Sequence, residues 1–242
     1  MFDHVTLRVP DLAEAERRFQ RLLDELSLDE TFSSRTFAMW GDFALTEPDD
    51  ANPLTRRAHV AFVAPSREAV DAYWQAGVEA GLRDDGPPGP RPSYSADYYA
   101  AFLRDGEDNS FEAVHREGLR RGGSIDHVVV RVADVAAATA FYGGVAEAAA
   151  LDVRAASDSR LTLAARESGG FYTLVAGPVT EHLHVAFGGD DDAIRRFYSQ
   201  AVEAGYRGNG EPAERPRYHP GYYAAYVFDP DGNNIEVVDH HR

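Results

Sequence analysis

The stretch YHPGYYAAYVFDPDGNNIEVV, Tyr218–Val238, decides the fold because an altered copy of it, YSADYYAAFLRDGEDNSFEAV, occupies Tyr94–Val114. The frames of the two copies differ by 124 residues. A second block agrees with this repeat, since Phe2–Leu26 matches Ile125–Ala149 with a shift of 123 residues. Matching blocks in the same order indicate one unit that is duplicated in tandem.

A third block completes the repeat. The sequence HVAF begins at His59 and again at His184, a shift of 125 residues. We therefore predict a first domain at residues 1–116 and a second at residues 124–242. The segment between them, His115–Ser124, is rich in Arg and Gly, which predicts an exposed linker.

The local pattern within each half predicts strands and helices in a fixed order. The segment DHVTLRV alternates, so that Val5, Leu7 and Val9 lie on one face and His4 on the other. A helical stripe follows from Asp11 to Leu26, with Asp11 as N-cap. A second strand, a second helix and a late hairpin through DPDGN follow the same plan. Each half thus consists of two strand-helix-strands units, and the predicted class is α+β.

Composition excludes several classes of function. The 242 residues include no cysteine, so any metal must be held by nitrogen and oxygen donors. A net charge of −16 disfavours nucleic acid as a partner. Neither a signal peptide nor an apolar run long enough for a membrane span is apparent, and a cytoplasmic location is expected. The expected partner is a small-molecule substrate.

Six residues at matched positions predict two metal sites. The halves contain His4, His59 and Glu112, and His127, His184 and Glu236, respectively. The spacings are similar, 55 and 53 residues in the first half against 57 and 52 in the second. Two imidazoles and one carboxylate form the facial triad that holds a divalent ion and leaves positions open for substrate. His182 is a rival to His184 because it lies two residues earlier.

Tyr226 and His219 are the candidate acid-base residues. Strand alternation places Tyr226 across the hairpin from Glu236, and His219 lies in the loop before that strand. The alternative is that the tyrosine is a packing aromatic. The first half has Phe102 and Ser95 at the corresponding positions, which suggests that its site works differently or not at all.

The motifs DHVVVRVADVAAATAFY (Asp126–Tyr142) and DPDGNNIEVV (Asp229–Val238) resemble the vicinal oxygen chelate superfamily, which includes glyoxalases, extradiol dioxygenases and bleomycin-binding proteins. The resemblance spans nearly the full chain. It implies paired βαβββ modules around a metal, with ligands on the first strand of each module and on the last strand of the second. The six residues above occupy those positions.

The motifs define the subfamily less closely than they define the superfamily. Glyoxalase-type sites usually add a fourth ligand, but Gly169–Gly177 offers no carboxylate, His or Gln, and only Glu47 in the first half could serve. A three-ligand site is more similar to extradiol dioxygenases and to the fosfomycin-modifying group of the superfamily. We therefore expect a metal-dependent dioxygenase first, and an isomerase or lyase of the glyoxalase type second. Fe(II) or Mn(II) is the favoured ion, with Zn, Ni or Co as alternatives, and no other cofactor is predicted.

Three alternatives stay open. The protein could be a drug-binding resistance protein that needs no metal, or one half could be catalytic and the other structural. The modules could also exchange between halves, so that His4 joins His184 and Glu236 rather than His59 and Glu112. The expected assembly is a monomer with two dimer-like halves, or a homodimer.

Overall fold

The computed structural model describes residues 2–165 and 169–241. Each half contains two modules of one strand, one helix and three further strands, as the repeat predicts. In the first half, module 1 comprises β1 (Phe2–Arg8), α1 (Leu12–Asp24), β2 (Phe32–Ser33), β3 (Phe37–Trp40) and β4 (Phe43–Thr46), and module 2 comprises β5 (His59–Val63), α2 (Arg67–Glu79), β6 (Arg83–Pro90), β7 (Tyr99–Arg104) and β8 (Ser110–His115).

The second half repeats this order. Module 3 comprises β9 (Ile125–Val132), α3 (Val135–Ala148), β10 (Leu151–Ser157), β11 (Arg160–Ala165) and β12 (Gly169–Ala176). Module 4 comprises β13 (His184–Gly188), α4 (Asp191–Glu203), β14 (Gly208–Glu214), β15 (Tyr223–Phe228) and β16 (Asn234–Asp239). The α+β class and the arrangement of two βαβββ modules in each half are confirmed.

The modules pair across the two halves. One eight-stranded sheet has the order β14-β15-β16-β13-β1-β4-β3-β2 and so joins module 4 to module 1. The other has the order β10-β11-β12-β9-β5-β8-β7-β6 and joins module 3 to module 2. Antiparallel pairs β1 with β13 and β9 with β5 form the two seams. Each sheet therefore contains half of each sequence repeat.

The helices cover one face of each sheet, and the binary pattern explains why. Val5 and Leu7 of β1 are fully buried in the main core, where they join Leu12 and Phe19 of α1. Asp11 caps α1 by accepting a hydrogen bond from the Glu14 N–H at 2.8 Å. The strand residues that alternate with this row, such as His4, point to the opposite face, which we call the open face.

The segment between the halves differs from the expected exposed linker. Arg120 is buried and forms an ion pair with Asp42 of module 1, and it also donates to the Ile125 carbonyl at 2.8 Å. Asp42 accepts the Ser124 and Ile125 N–H groups at 2.8 and 3.0 Å. The prediction of an exposed linker was wrong for Arg120 and Ser124. The Arg120 side chain pairs with the buried Asp42 carboxylate and does not extend into solvent.

Within residues 2–165 and 169–241, no helix combines the length and the apolar character that crossing a bilayer requires.

Candidate metal centres

The six predicted ligands meet on the open faces in two groups, and both groups cross the halves. One group, the Glu236 centre, comprises His4, His184 and Glu236, and the other, the Glu112 centre, comprises His59, Glu112 and His127. Of the two arrangements that the sequence left open, the grouping within a half, His4 with His59 and Glu112 and His127 with His184 and Glu236, does not form. Because module 1 pairs with module 4 and module 2 with module 3, the exchanged arrangement is the one that forms.

Sheet register explains how the Glu236 centre assembles. His4 of β1 lies opposite Ala186 of β13, and Ala186 lies beside Glu236 of β16. His184 shares the face of Ala186 because it lies two residues before it. The small side chain of Ala186 leaves the larger side chains on either side free to converge. The Glu112 centre has the same row, with Ala61 between His127 and Glu112.

The hairpin turn fixes the strand that carries the second histidine. In the turn before β16, Asn233 accepts a hydrogen bond from the Leu183 N–H at 2.9 Å, directly before His184. Asn109 accepts from the Ala58 N–H at 2.9 Å, directly before His59. The conformation of the turn thus sets the position of one imidazole in each centre.

Donor separations in the Glu236 centre match those expected for ligands of one ion. The His184 Nε2 lies 3.0 Å from the His4 Nε2 and 3.0 Å from a Glu236 carboxylate oxygen, and the third separation, His4 to Glu236, is 3.6 Å. Two donors bound at about 2.1 Å and at a right angle are roughly 3.0 Å apart, and donors at a tetrahedral angle roughly 3.4 Å. The residues present therefore fit a divalent ion.

The Glu112 centre has similar separations. The Glu112 carboxylate lies 3.0 Å from the His59 Nε2 and 3.5 Å from the His127 Nε2. Glu112 and Glu236 are almost fully buried, at 2% and 1% exposure. A buried carboxylate requires compensation by hydrogen bonds or opposite charge. The histidines, together with a tyrosine at each centre, provide it.

Those tyrosines are site residues that the sequence did not single out. The Tyr222 hydroxyl donates to Glu236 at 2.6 Å, and the Tyr98 hydroxyl donates to Glu112 at 2.6 Å. Each bond engages the carboxylate oxygen that does not face the histidines. The signal was present in the repeated YYAA motif, where both copies keep this tyrosine.

Asp3 and Asp126 orient the first histidine of each centre. Asp3 accepts from the His4 Nδ1–H at 2.8 Å, and Asp126 accepts from the His127 Nδ1–H at 2.9 Å. A proton held on Nδ1 leaves the Nε2 lone pair free to bind an ion. The repeated Asp-His dipeptide was the sequence signal for this contact.

The other two histidines are held differently. The Asn234 side-chain amide lies 2.8 Å from the His184 Nδ1, and the Ser110 hydroxyl lies 3.1 Å from the His59 Nδ1. Burial lowers the pKa of both His184 and His59, although Glu236 and Glu112 oppose that effect. These two imidazoles are thus kept neutral, as metal ligands must be.

Electrostatics favour an ionised carboxylate at each centre. Burial alone would raise the pKa of Glu112, but hydrogen bonds and charges from His127 and His59 outweigh burial and lower the pKa to about 2. His184 and His4 likewise lower the pKa of Glu236 against the effect of burial. Both glutamates carry a negative charge at neutral pH and can bind a cation.

The outer contacts of the two centres differ. Asp3 also accepts from the His240 Nε2 at 2.7 Å, and His240 Nδ1 lies 2.8 Å from His219 Nε2. Asp126 is instead paired with the Arg116 guanidinium at 2.9 Å. His219 is therefore connected to the Glu236 centre through His240 and Asp3, and it lies outside the metal-ligand group.

Tyr226 lies on the open face of the Glu236 centre. Its ring packs against His184, with centroids 6.3 Å apart and an interplanar angle of 30°. The buried hydroxyl has no hydrogen-bond partner of good geometry. Burial and the Glu236 charge raise the pKa of Tyr226, so that the phenol stays protonated.

The rival ligands lie outside both centres. His182 precedes β13 with a left-handed backbone, φ +56°, and its carbonyl accepts from Arg8 and Thr55. Glu47 is exposed and follows the last residue of β4. In the Gly169–Gly177 segment, Phe171 stacks on His127 at a centroid distance of 4.5 Å. Among residues 2–165 and 169–241, three donors converge at each centre, and no fourth His, Asp or Glu joins them.

Comparison with solved structures shows the fold in other proteins. Glyoxalase I from Zea mays superposes with a TM-score of 0.70 at 19% identity, and the match covers 99% of this chain and 92% of the maize chain. A putative dioxygenase from Bacillus subtilis superposes with a TM-score of 0.63 at 13% identity, covering 98% and 84% of the two chains.

A comparison with curated protein sequences gave no significant match. The sequence profile of the Glyoxalase/Bleomycin resistance protein/Dioxygenase superfamily, in contrast, matches residues 1–112 and 124–237. These segments cover most of both repeats and include all six converging side chains, with Glu112 as the last residue of the first match and Glu236 next to the last residue of the second. The chain therefore belongs to the Glyoxalase/Bleomycin resistance protein/Dioxygenase superfamily.

Proposed function

We propose that this protein is a divalent-metal-dependent enzyme that acts on a small substrate with two adjacent oxygen atoms. The observation that supports the proposal is the convergence of two imidazoles and one buried carboxylate at each of two places on the open faces. His4, His184 and Glu236 would hold one ion, and His59, Glu112 and His127 a second.

Fe(II) or Mn(II) is the ion that we favour, with Zn, Ni or Co as alternatives, because the donors are nitrogen and oxygen atoms. When bound, such an ion polarises chelated substrate oxygens and, if it is iron, supports reaction with dioxygen. The protein residues hold the donors in place. Asp3 orients His4, and Tyr222 immobilises the second oxygen of Glu236.

Ring cleavage or related oxygenase chemistry is our first choice of reaction. The three-donor pattern is typical of non-haem iron oxygenases because it leaves positions for both substrate and oxygen. A fourth protein donor would occupy one of them. None joins either centre in the part of the chain that the structure describes.

An isomerase or lyase is the second candidate, and the surroundings of the Glu236 centre favour it. Tyr222 donates its hydroxyl to Glu236, and the Tyr226 ring packs against His184. His219 contacts His4 only indirectly, through His240 and then Asp3. A protonated Tyr226 beside the site is suited to donate a hydrogen bond to a substrate oxygen.

Partners and assembly are also part of the proposal. We expect a small-molecule substrate and no nucleic acid, because the chain carries a net charge of −16. Each eight-stranded sheet is complete within one chain, which supports a monomer. A homodimer is the alternative.

Metal analysis tests the proposal. Protein purified without added ions, and protein reconstituted anaerobically with Fe(II) or Mn(II), should bind up to two ions per chain. Oxygen uptake with catechols under Fe(II) loading would indicate a dioxygenase, and activity that does not need oxygen would indicate an isomerase or lyase.

The variant His184→Ala distinguishes a metal-dependent enzyme from a drug-binding protein that needs no metal. If the protein is an enzyme, this variant loses metal from the Glu236 centre and loses activity there. The proposal is contradicted if the wild-type protein takes up no ion on reconstitution and binds its ligand equally well whether or not metal is added.

A further inference from the structure

We infer that the two centres select chemically different ligands, because Tyr226 presents a hydroxyl to one and Phe102 presents a hydrocarbon ring to the other. The ligand of the Glu236 centre carries an oxygen acceptor next to its chelating pair. The ligand of the Glu112 centre carries an apolar group there. This inference rests on the proposed function, in which each centre holds a chelating ligand.

Tyr226 and Phe102 occupy equivalent places. Tyr226 lies directly across the strand pair from Glu236, and Phe102 directly across from Glu112. The Tyr226 ring centroid is 6.3 Å from that of His184, at 30°, and the Phe102 ring centroid is 6.3 Å from that of His59, at 33°. The two rings therefore differ only in the hydroxyl.

Their surroundings hold the two rings alike. An arginine guanidinium lies over each ring at 5.5 Å, Arg215 over Tyr226 and Arg91 over Phe102. Each ring also faces a glycine on the neighbouring strand: a Cβ at Gly210 would lie 2.8 Å from Tyr226, and one at Gly86 would lie 3.0 Å from Phe102. The matched packing indicates that the hydroxyl at position 226 is not needed to seat the ring.

The Tyr226 hydroxyl makes no hydrogen bond of good geometry. The residue is 8% exposed, and the polar group that faces its buried oxygen is the Glu236 carboxylate. The Nε of Arg215, whose guanidinium lies over the Tyr226 ring, is also buried without a hydrogen bond. An unpaired buried polar group costs about 1–3 kcal/mol. Both groups can donate a hydrogen bond, and an acceptor oxygen of a ligand would satisfy either of them.

The small cluster around Phe102 at the Glu112 centre is more apolar than its counterpart around Tyr226. Phe102 and Leu119 pack against the small cluster of Ala61, Tyr98, Ala100 and Val114. At the Glu236 centre the corresponding cluster contains Tyr222 and Tyr226, and the rings of His219 and His240 contact Tyr222 at 5.3 and 5.0 Å. The surroundings therefore support the same distinction as the single hydroxyl.

Two probes with the same chelating oxygens separate the centres. Pyrogallol has a third hydroxyl next to the catechol pair, and 3-methylcatechol has a methyl group at that position. Binding to Mn(II)-loaded protein would be measured by calorimetry without oxygen. Glu112→Ala leaves only the Glu236 centre, and Glu236→Ala leaves only the Glu112 centre.

The Glu236 centre should prefer pyrogallol, and the Glu112 centre should prefer 3-methylcatechol. A hydrogen bond contributes about 0.5–1.5 kcal/mol, so Tyr226→Phe should weaken pyrogallol binding about 2- to 13-fold and leave 3-methylcatechol binding unchanged. Phe102→Tyr should shift the preference of the other centre towards pyrogallol. Tyr218→Phe, at an exposed tyrosine, is the control.

Metal content, measured first, separates the two proposals. Protein that takes up no Mn(II) contradicts the proposed function itself. If Mn(II) binds but both centres show the same preference, or neither probe binds, the inference is overturned and the metal sites remain. If a glutamate variant does not fold, the Tyr226→Phe change is measured in the otherwise intact chain, where an unchanged ratio of the two affinities overturns the inference.

Discussion

His4 Nε2 lies 3.0 Å from His184 Nε2, although 180 residues separate the two in the sequence. The contact exists because β1 of module 1 pairs with β13 of module 4. It brings the first strand of the first half against the strand that opens module 4 in the second half. Each candidate metal centre is consequently a composite of both halves.

The composite arrangement predicts which double variants lose both ions. His4→Ala and Glu236→Ala should each remove one ion per chain, and the double variant should remove no more, because both residues serve one centre. Combining His4→Ala with Glu112→Ala should remove both ions. Metal content per folded chain is the measurement, with His182→Ala as control. If His4→Ala with Glu236→Ala removed both ions, and His4→Ala with Glu112→Ala removed only one, the triads would form within a half.

Tyr222→Phe should weaken metal binding at the Glu236 centre about 10- to 100-fold, because it removes the hydrogen bond that orients the Glu236 carboxylate. Tyr98→Phe should act in the same way on the Glu112 centre alone. Competition with a chelator of known affinity measures both effects. Tyr94→Phe, at an exposed position, is the matched control. Equal affinity in Tyr222→Phe and wild-type protein would exclude this role.

The stability of the metal-free protein should fall in mild alkali. Burial lowers the pKa of His127, but Asp126 and Glu112 outweigh burial and raise the pKa to about 9. A histidine whose pKa is raised by folding stabilises fully below its unfolded value of about 6.5, and the contribution is lost as pH rises through the folded value. Glu112 stays ionised throughout this window.

Chemical denaturation of metal-free protein between pH 6 and pH 10 checks this prediction. His127→Gln should show a smaller loss of unfolding free energy over the range than the wild type. The slope should not vanish, because the pKa of His4 is also raised, by Asp3 and Glu236 against the effect of burial. Identical slopes in the two proteins would contradict the assignment.

Arg116→Ala should destabilise the protein by about 3 kcal/mol, because the buried Asp126 carboxylate loses its arginine and keeps only the His127 imidazole and the Arg120 N–H as partners. Asp126 is fully buried, and the Arg116 side chain is only 14% exposed. The control is Arg83→Ala, which removes an ion pair with Asp108 in which both side chains are more than half exposed. Such pairs contribute about 1 kcal/mol or less. A loss at Arg116 no larger than that at Arg83 would argue against the buried pairing.

Much of the fold follows from the sequence because alternation and helical periodicity are local signals. The Val5 and Leu7 row, the Asp11 cap and the hairpin turn depend on neighbouring residues, and all appear in the structure. The six converging side chains were found because two copies of one module could be compared. Chemistry that survived in both copies was visible without a structure.

The partners of each histidine could not be deduced in this way. Pairing of module 1 with module 2, or with module 4, places two histidines and one glutamate in each triad. The repeat therefore does not show which of the two pairings forms. That choice depends on strand edges far apart in sequence, such as β1 and β13. The exposed-linker prediction failed for a related reason, since the buried partner of Arg120 is Asp42, 78 residues away.

The central claim is that each centre takes its ligands from both halves, and anomalous diffraction from crystals grown with Mn(II) tests it most directly. Two peaks per chain are expected, one contacted by His4, His184 and Glu236 and the other by His59, Glu112 and His127. Peaks held by three side chains from a single half, or no peak at either place, would contradict it.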